Sequence, residues 1–204
     1  MVKTRIAVLI SGGGTNLQAL IDAQNSGIIT SGEIVLVVSS AHDAYGLVRA
    51  EKAGIETAVV NRKEAGSQEA FERGIRAELE ARGVEMIVLA GFMKILSPAF
   101  TEAYAGRIIN VHPSLIPSFC GKGAYGLKVH EMALEYGVKV TGATVHFVNE
   151  VPDGGQIILQ KAVAVEEGDT PEVLQRRVLE QAEWKILPQA AELVAGRLAG
   201  EAGL

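Results

Sequence analysis

The stretch IAVLISGGGTNLQAL, residues Ile6 to Leu20, joins an apolar run to a helical pattern through three consecutive glycines. The apolar run has the length and composition of a buried β-strand, and the apolar spacing after Thr15 indicates a helix. Glycine lets the backbone turn tightly and brings bare N–H groups to a ligand, and the helix N-terminus adds partial positive charge. The stretch therefore predicts a strand, a turn and a helix with a phosphate site at the turn. A tight turn without any ligand is the alternative.

The glycine-rich loop does not match the two best-known phosphate-binding motifs. The dinucleotide fingerprint G-x-G-x-x-G fails because Leu17 stands at the third glycine position, counted from Gly12 and Gly14. A P-loop is excluded because no Gly-Lys-Ser/Thr follows. We therefore expect a mononucleotide or a sugar phosphate rather than NAD or ATP.

The first half of the chain repeats the alternation of strand and helix. Strands are predicted over Arg5–Ile10, Glu33–Ser39, Glu56–Val60 and Val84–Ala90. Helices are predicted over Thr15–Asn25, Ala44–Ala53 and Ser67–Arg82, the last with its charges on the outer face. Four such repeats argue for a parallel, doubly wound sheet with right-handed crossovers.

The second half has a different pattern. A fifth strand is predicted over Arg107–His112 and a helix over Leu127–Tyr136. Two long strands, Lys139–Val148 and Gln156–Val165, are predicted to form an antiparallel pair. A closing helix begins after Thr170, a good N-cap followed by Pro171, and runs towards Arg197. The fold class is therefore α/β, an open and mostly parallel twisted sheet of about seven strands with helices on both faces.

Composition excludes several classes of protein. The net charge of -5 does not suggest a nucleic-acid-binding surface. Cys120 is the single cysteine of the chain, which excludes an intrachain disulfide framework and a cysteine-based zinc site. The four histidines show no metal-ligand spacing, so we expect no metal. No apolar run approaches the ~20 residues that span a bilayer, and the first residues lead straight into a strand. We expect a cytoplasmic protein, a monomer or a homodimer, that acts on small molecules without membrane or nucleic-acid partners.

Two polar residues end the apolar fifth strand. Residues two apart in a strand project to the same face, so Asn110 and His112 point together while Val111 points away. Open α/β sheets place their sites at the carboxyl ends of strands, and Pro113 ends this one. A lone histidine here is usually a structural residue, but an amide and an imidazole on one face make a good oxygen-binding pair.

Five segments together resemble the phosphoribosylglycinamide formyltransferase family, the folate-dependent enzymes of purine biosynthesis. They occur in the family's order and span nearly the whole chain: LISGGGTNLQAL (Leu9–Leu20), LAGFMKILSPAF (Leu89–Phe100), INVHPSLIPSFCGKG (Ile109–Gly123), TGATVHFVNEVPDGGQIILQ (Thr141–Gln160) and EQAEWKILP (Glu180–Pro188). The resemblance implies a single formyltransferase domain over residues 1–204. A Rossmann-like nucleotide-binding half covers 1–105, and a catalytic, folate-facing half covers 106–204.

The resemblance also implies roles for individual residues. The catalytic residues are Asn110, His112 and Asp153. Glycinamide ribonucleotide is bound by Gly14, Thr15, Asn16 and Glu183, with Glu180 as a rival for the ribose. The folate is bound by Met93, Lys94, Ile95, Leu96 and Asn110. Lys94 stands where an arginine is common in the family, and Cys120 stands where a proline is common.

The implied reaction moves a formyl group from 10-formyltetrahydrofolate, the co-substrate, to the amine of glycinamide ribonucleotide. Asn110 and a protonated His112 are suitable donors for the oxyanion, Asp153 favours the charged imidazole, and His146 is a support for the site. One alternative is a formyltetrahydrofolate hydrolase, which uses a similar set of residues with water as acceptor. The other is a non-catalytic nucleotide-binding module, which leaves Asn110 and His112 unexplained.

Overall fold

The computed structural model of the chain describes residues 2–201. The strands are β1 (Thr4–Ile10), β2 (Gly32–Ser39), β3 (Glu56–Val59), β4 (Met86–Leu89), β5 (Ile108–His112), β6 (Val140–Phe147) and β7 (Ile157–Ala164). The helices are α1 (Thr15–Asn25), α2 (Tyr45–Lys52), α3 (Arg62–Ala65), α4 (Gln68–Ala81), α5 (Pro98–Ala103), α6 (Leu127–Tyr136), α7 (Pro171–Val178) and α8 (Trp184–Glu201). A π-helical turn, Leu179–Glu183, joins α7 to α8.

All seven strands form one sheet in the order β3-β2-β1-β4-β5-β6-β7. The pairs from β3 to β5 are parallel, and β6 and β7 add to this sheet as antiparallel strands. The predicted fold class and the predicted antiparallel pair are therefore confirmed. Strands from both sides of residue 105 share this sheet, and the functional division of the chain at that residue stays a prediction.

Strand β1 is buried on both faces, as expected for a central strand of a parallel sheet. Ile6, Val8 and Ile10 pack in the layer that contains the buried residues of α1 and α8. Ala7 and Leu9 face the opposite layer, which contains the buried residues of α4 and α5. The sheet therefore has a helical layer on each face, and its strand ends are the places where polar side chains can meet a ligand.

Three local features differ from the sequence-based expectation. The short helices α3 and α5 were not predicted, and each has a side-chain cap, Asn61 for α3 and Ser97 for α5. The closing helix is interrupted by the π-helical turn, so Glu183 ends one segment and Trp184 begins the next. The charges of α4 lie mainly outward, but Glu72 is buried.

His130 on α6 is a buried histidine without a polar partner. Its side chain is fully buried, and neither ring nitrogen has a hydrogen-bond partner among the described residues. Burial, with a smaller contribution from nearby His112, lowers the pKa of His130 to about 4. The imidazole is therefore neutral at neutral pH, and its protonation opposes folding.

Replacing His130 with leucine should make the protein less sensitive to acid. The unfolded chain binds a proton at His130 near pH 6.5 and the folded chain does so near pH 4, so the native state loses stability as the pH falls between these values. At pH 5 this linkage amounts to about 2 kcal/mol. Urea unfolding at pH 7.5 and pH 5 should show a smaller pH-dependent loss for His130→Leu. An equal loss in both proteins would contradict a depressed pKa.

Candidate active site

Asn110 and His112 lie at the carboxyl end of β5, beside the antiparallel strand β6. The register pairs Asn110 with His146 and His112 with Thr144. His112 is buried and Asn110 is half-buried. Because β4 and β5 are parallel, this end of β5 lies at the same edge of the sheet as the end of β4. The polar residues therefore stand where an open α/β sheet carries its site.

Asp153 lies between two histidines. Its Oδ2 is 3.5 Å from His112 Nδ1, and its Oδ1 is 3.5 Å from His146 Nε2. The Gly121 N–H donates to Oδ2 at 2.8 Å. Asp153 adopts φ 57°, in the left-handed region that aspartate tolerates better than most residues. The structure thus brings together the three residues predicted to be catalytic, although 41 positions separate His112 and Asp153 in the chain.

The environment keeps Asp153 ionised. Burial would raise the pKa of this carboxyl, but the hydrogen bond with His146, the charge of His112 and the Gly121 N–H outweigh burial and hold the pKa below its usual value. Since these partners come from three parts of the chain, the carboxylate is held in place as well as charged.

His146 connects Asn110 to Asp153. Its Nδ1–H donates to the carbonyl oxygen of Phe147 at 2.8 Å, which fixes the ring. Its Nε2 is 3.2 Å from Asn110 Nδ2, in addition to its approach to Asp153. The ring therefore sets the distance between the amide and the carboxylate. The strand pattern around residue 146 suggested a supporting role, and its pairing opposite Asn110 became visible only in the sheet register.

The loop after β5 orients His112 from the other side. His112 Nε2 is 2.9 Å from the carbonyl oxygen of Phe119, which can only accept, so Nε2 carries a proton. Phe119 has φ 49°, an uncommon backbone for a bulky residue. The hydroxyl of Thr144 donates to Ser114 O at 2.7 Å and accepts from the Ile116 N–H at 3.0 Å, which ties the loop to β6. Both ring nitrogens of His112 therefore face acceptors, an arrangement that suits the imidazolium.

The glycine-rich loop ends at Gly14, the N-cap of α1, with φ 70°. A β-carbon at Gly14 would lie 2.7 Å from Gly46 Cα, so this position requires glycine for both backbone and space. Around Gly12 and Gly13 no atom lies within 4 Å of such a carbon. Arg49 Nε donates to the carbonyl oxygen of Gly13 at 2.9 Å and holds the loop from α2. The open side of the loop is the side from which a phosphate can approach.

Asn16 and Glu183 form a buried polar pair next to this loop. Asn16 Nδ2 donates to Glu183 Oε2 at 2.7 Å, whereas Asn16 Oδ1 has no partner among the described residues. Burial raises the pKa of Glu183 to about 7, against the opposing effect of the Asn16 hydrogen bond. Glu180, the rival acid, pairs with Arg176 at 2.8 Å on the surface. Of the two acids, Glu183 is the one beside the loop.

A cavity of about 140 Å³ adjoins the polar cluster. Its lining includes Lys94, Ile95 and Leu96, together with Asn110, His146 and Asp153. Met93, predicted with this group, is not in the lining; its N–H donates to Ser11 Oγ at 2.9 Å and its side chain is half exposed. A larger cleft, about 600 Å³ between α1 and α8, contains none of Asn110, His112 and Asp153. Two of the predicted catalytic residues, Asn110 and Asp153, therefore line the smaller cavity.

Within residues 2–201, no group of three or more His, Cys, Asp or Glu side chains is placed to hold a metal ion. Over the same residues, no helix combines the length and the apolar character needed to cross a bilayer.

Comparison with known proteins assigns this fold to a class of enzyme, the one-carbon group transferases. A family model described as formyl transferase matches residues 4–191. The chain therefore belongs to the formyl transferase family, and the resemblance found in the sequence is confirmed.

Its relatives include phosphoribosylglycinamide formyltransferases. The protein of that name from Haemophilus influenzae is 47% identical over 184 residues, which are 90% of this chain and 84% of that protein. In the crystal structure of glycinamide ribonucleotide transformylase 1 from Symbiobacterium toebii, the protein is 46% identical in sequence to this chain, and the TM-score is 0.88. The match covers 95% of this chain and 88% of that one. The trifunctional purine biosynthetic protein adenosine-3 of Gallus gallus is 50% identical over 98% of this chain. The chain spans about a fifth of that protein's length, 20%.

The loop geometry allows a test of the phosphate site with a matched control. Gly13→Ala places a methyl group in open space where a phosphate would approach, so affinity for a sugar phosphate such as ribose 5-phosphate should fall at least tenfold with little change in Tm. Gly14→Ala should instead lower Tm, because its methyl group meets Gly46 and its φ is positive. Calorimetry and thermal melts measure both effects. If folded Gly13→Ala bound the sugar phosphate with unchanged affinity, this would contradict a phosphate site at the loop.

Proposed function

We propose that this chain transfers the formyl group of 10-formyltetrahydrofolate to the amine of glycinamide ribonucleotide. The products are formylglycinamide ribonucleotide and tetrahydrofolate, a step of de novo purine (IMP) biosynthesis. The observation that carries the proposal is the cluster of Asn110, His112 and Asp153, which shares a wall with the cavity at Lys94 to Leu96. The hydrogen bond between Met93 and Ser11 joins that segment to the glycine-rich loop, so sites for both substrates adjoin the cluster.

The two substrates would take separate positions. Gly14, Thr15 and Asn16 hold the phosphate through the loop and the start of α1, and Glu183 accepts from the ribose hydroxyls. Lys94, Ile95 and Leu96 supply the wall for the folate, with Ile95 and Leu96 as apolar contacts and Lys94 near the acidic tail. Met93 attaches this segment to the glycine-rich loop through its backbone N–H. This arrangement brings the amine of one substrate and the formyl group of the other to Asn110.

The chemistry requires stabilisation of negative charge and one proton transfer. The amine attacks the formyl carbon, and the carbonyl oxygen becomes an oxyanion in the tetrahedral intermediate. The Asn110 amide donates to that oxygen. The His112 imidazolium, whose two N–H groups face Phe119 O and Asp153, stabilises the oxyanion through its positive charge. When the intermediate collapses, the C–N bond to the folate nitrogen breaks. The proton lost by the amine returns to that nitrogen.

Asp153 acts mainly through its charge. A carboxylate whose pKa lies below its ordinary value is a weak base, but it is ionised throughout the neutral range and stabilises the imidazolium of His112. Proton transfer from the amine then proceeds through Asp153 or a water bound to it. The second observation in favour of this role is the approach of Asp153 to both histidines at 3.5 Å.

A coupled assay tests the proposed reaction against its alternatives. With both substrates present, tetrahydrofolate and formylglycinamide ribonucleotide should appear in equal amounts, and omission of either substrate should stop the reaction. Release of formate without glycinamide ribonucleotide would instead identify a formyltetrahydrofolate hydrolase. Binding of the ribonucleotide without turnover would indicate a nucleotide-binding module.

The cytoplasmic location, the absence of a nucleic-acid partner, and the choice between monomer and homodimer stay predictions.

Asp153→Asn should preserve substrate binding and abolish most of the turnover. Asparagine can still accept from the Gly121 N–H, but it has no charge for His112 and cannot take the proton. We expect kcat to fall by about two orders of magnitude or more, with both KM values near those of the wild type. Asp169→Asn is the matched control, because Asp169 also has a lowered pKa but pairs with Arg177 away from the cavity. If Asp153→Asn turned over at the wild-type rate, Asp153 would have only a structural role in the turn.

A further inference from the structure

Glu72 on α4 is a buried carboxylate outside the catalytic cluster. Its residue is 7% exposed, although it lies on a helix whose other charges face outward. The Ser97 N–H donates to Oε1 at 2.6 Å, and the Ser97 hydroxyl donates to Oε2. Gln68, one turn earlier on the same face, donates to Oε1 at 2.7 Å. Three donors therefore converge on one carboxylate at the end of the segment that lines the cavity.

Gln68 extends this network into the cavity wall. Its Nε2 also donates to the carbonyl oxygen of Ile95 at 3.0 Å, and its Oε1 accepts from Arg62 Nε at 3.0 Å. A third side chain of α4, Phe71, stacks on Phe92 with ring planes 6° apart. Helix α4 thus contacts the segment of residues 92–97 at the segment's beginning, middle and end.

The segment needs such an anchor because it has little support of its own. It connects β4 to α5 without regular secondary structure, and Ile95 is 70% exposed although it lines the cavity. Leu96 is buried in the core layer of α4 and α5. The backbone conformation at Ile95 and Leu96 decides which side chains face the cavity. The hydrogen bonds from Gln68 to Ile95 O and from Ser97 N–H to Glu72 fix that conformation.

We propose that Glu72, assisted by Gln68, is a positioning residue for the folate substrate. It orders the backbone of Lys94–Ser97 before the folate binds, so the folate does not pay the entropy of ordering this segment. Ser97 is the N-cap of α5 and directly follows the lining residue Leu96, so the same carboxylate fixes the helix start and the end of the segment. This inference rests on the proposed function, since it assigns the cavity to the folate.

The test separates the two substrates. Glu72→Ala should raise KM for 10-formyltetrahydrofolate at least tenfold and weaken tetrahydrofolate binding in calorimetry to a similar extent. Its kcat and its KM for glycinamide ribonucleotide should stay within about twofold of the wild-type values. Glu72→Gln, which keeps an acceptor for the Ser97 N–H, should restore most of the folate affinity. Should Glu72→Ala fail to fold, Gln68→Ala removes the bonds to Ile95, Glu72 and Arg62 but keeps both Ser97 bonds to Glu72, and it should raise the folate KM by a smaller factor.

Glu192→Ala is the matched control for loss of a multiply bonded carboxylate. Glu192 on α8 accepts from the backbone and hydroxyl groups of Thr30 and Ser31, far from the cavity lining. The substitution Glu192→Ala should lower Tm and leave both KM values unchanged. Equal rises of both KM values in Glu72→Ala, or the same folate effect in Glu192→Ala, would overturn the inference. Wild-type protein that binds tetrahydrofolate but transfers no formyl group would overturn the proposed function instead, and the binding arm would still test Glu72.

Discussion

The site depends on keeping one ionised carboxylate in a mostly buried position. The Asp153 side chain is 14% exposed, and an isolated charge at such a depth would be costly without compensating partners. Its partners come from the end of β5, from β6 and from the loop that contains Gly121. Each of these elements must therefore be in place before the carboxylate is stable. In turn the carboxylate draws His112 and His146 into one cluster.

The parallel sheet makes this cluster possible because it collects strand ends at one edge. The glycine-rich loop follows β1, the cavity segment follows β4, and Asn110 and His112 end β5, and these three strands are neighbours. The antiparallel strand β6 then returns along β5 and brings His146 opposite Asn110. The glycine-rich loop, the cavity segment and the pair Asn110 and His112 thus meet at one edge of the sheet.

Much of the fold and part of the site follow from local patterns. Buried parallel strands are recognisable as apolar runs, and the period of two placed Asn110 and His112 on one face. The approach of Asp153 to His112 is different, because it depends on the turn after β6, and the local pattern around residue 153 indicates only a turn. Glu72 shows the same limit, since an acid on an amphipathic helix is normally exposed and its burial is decided by Ser97 on another segment. The short helices α3 and α5 are missed because too few residues carry a periodic signal.

Asp153 and Glu183, the two carboxyl groups of the proposed site, have opposite environments, and this difference fits their proposed tasks. Asp153 has two histidines and a backbone N–H as partners, which outweigh burial and lower its pKa, so it is ionised at neutral pH. Glu183 is more deeply buried and has a single donor, Asn16, so burial dominates and its pKa rises to about 7. A ribose that donates hydroxyl groups to Glu183 would supply the missing partners and favour its ionised form. Under the proposed function, the fold would hold one acid charged in advance, and the ribonucleotide would supply the partners that the other acid lacks.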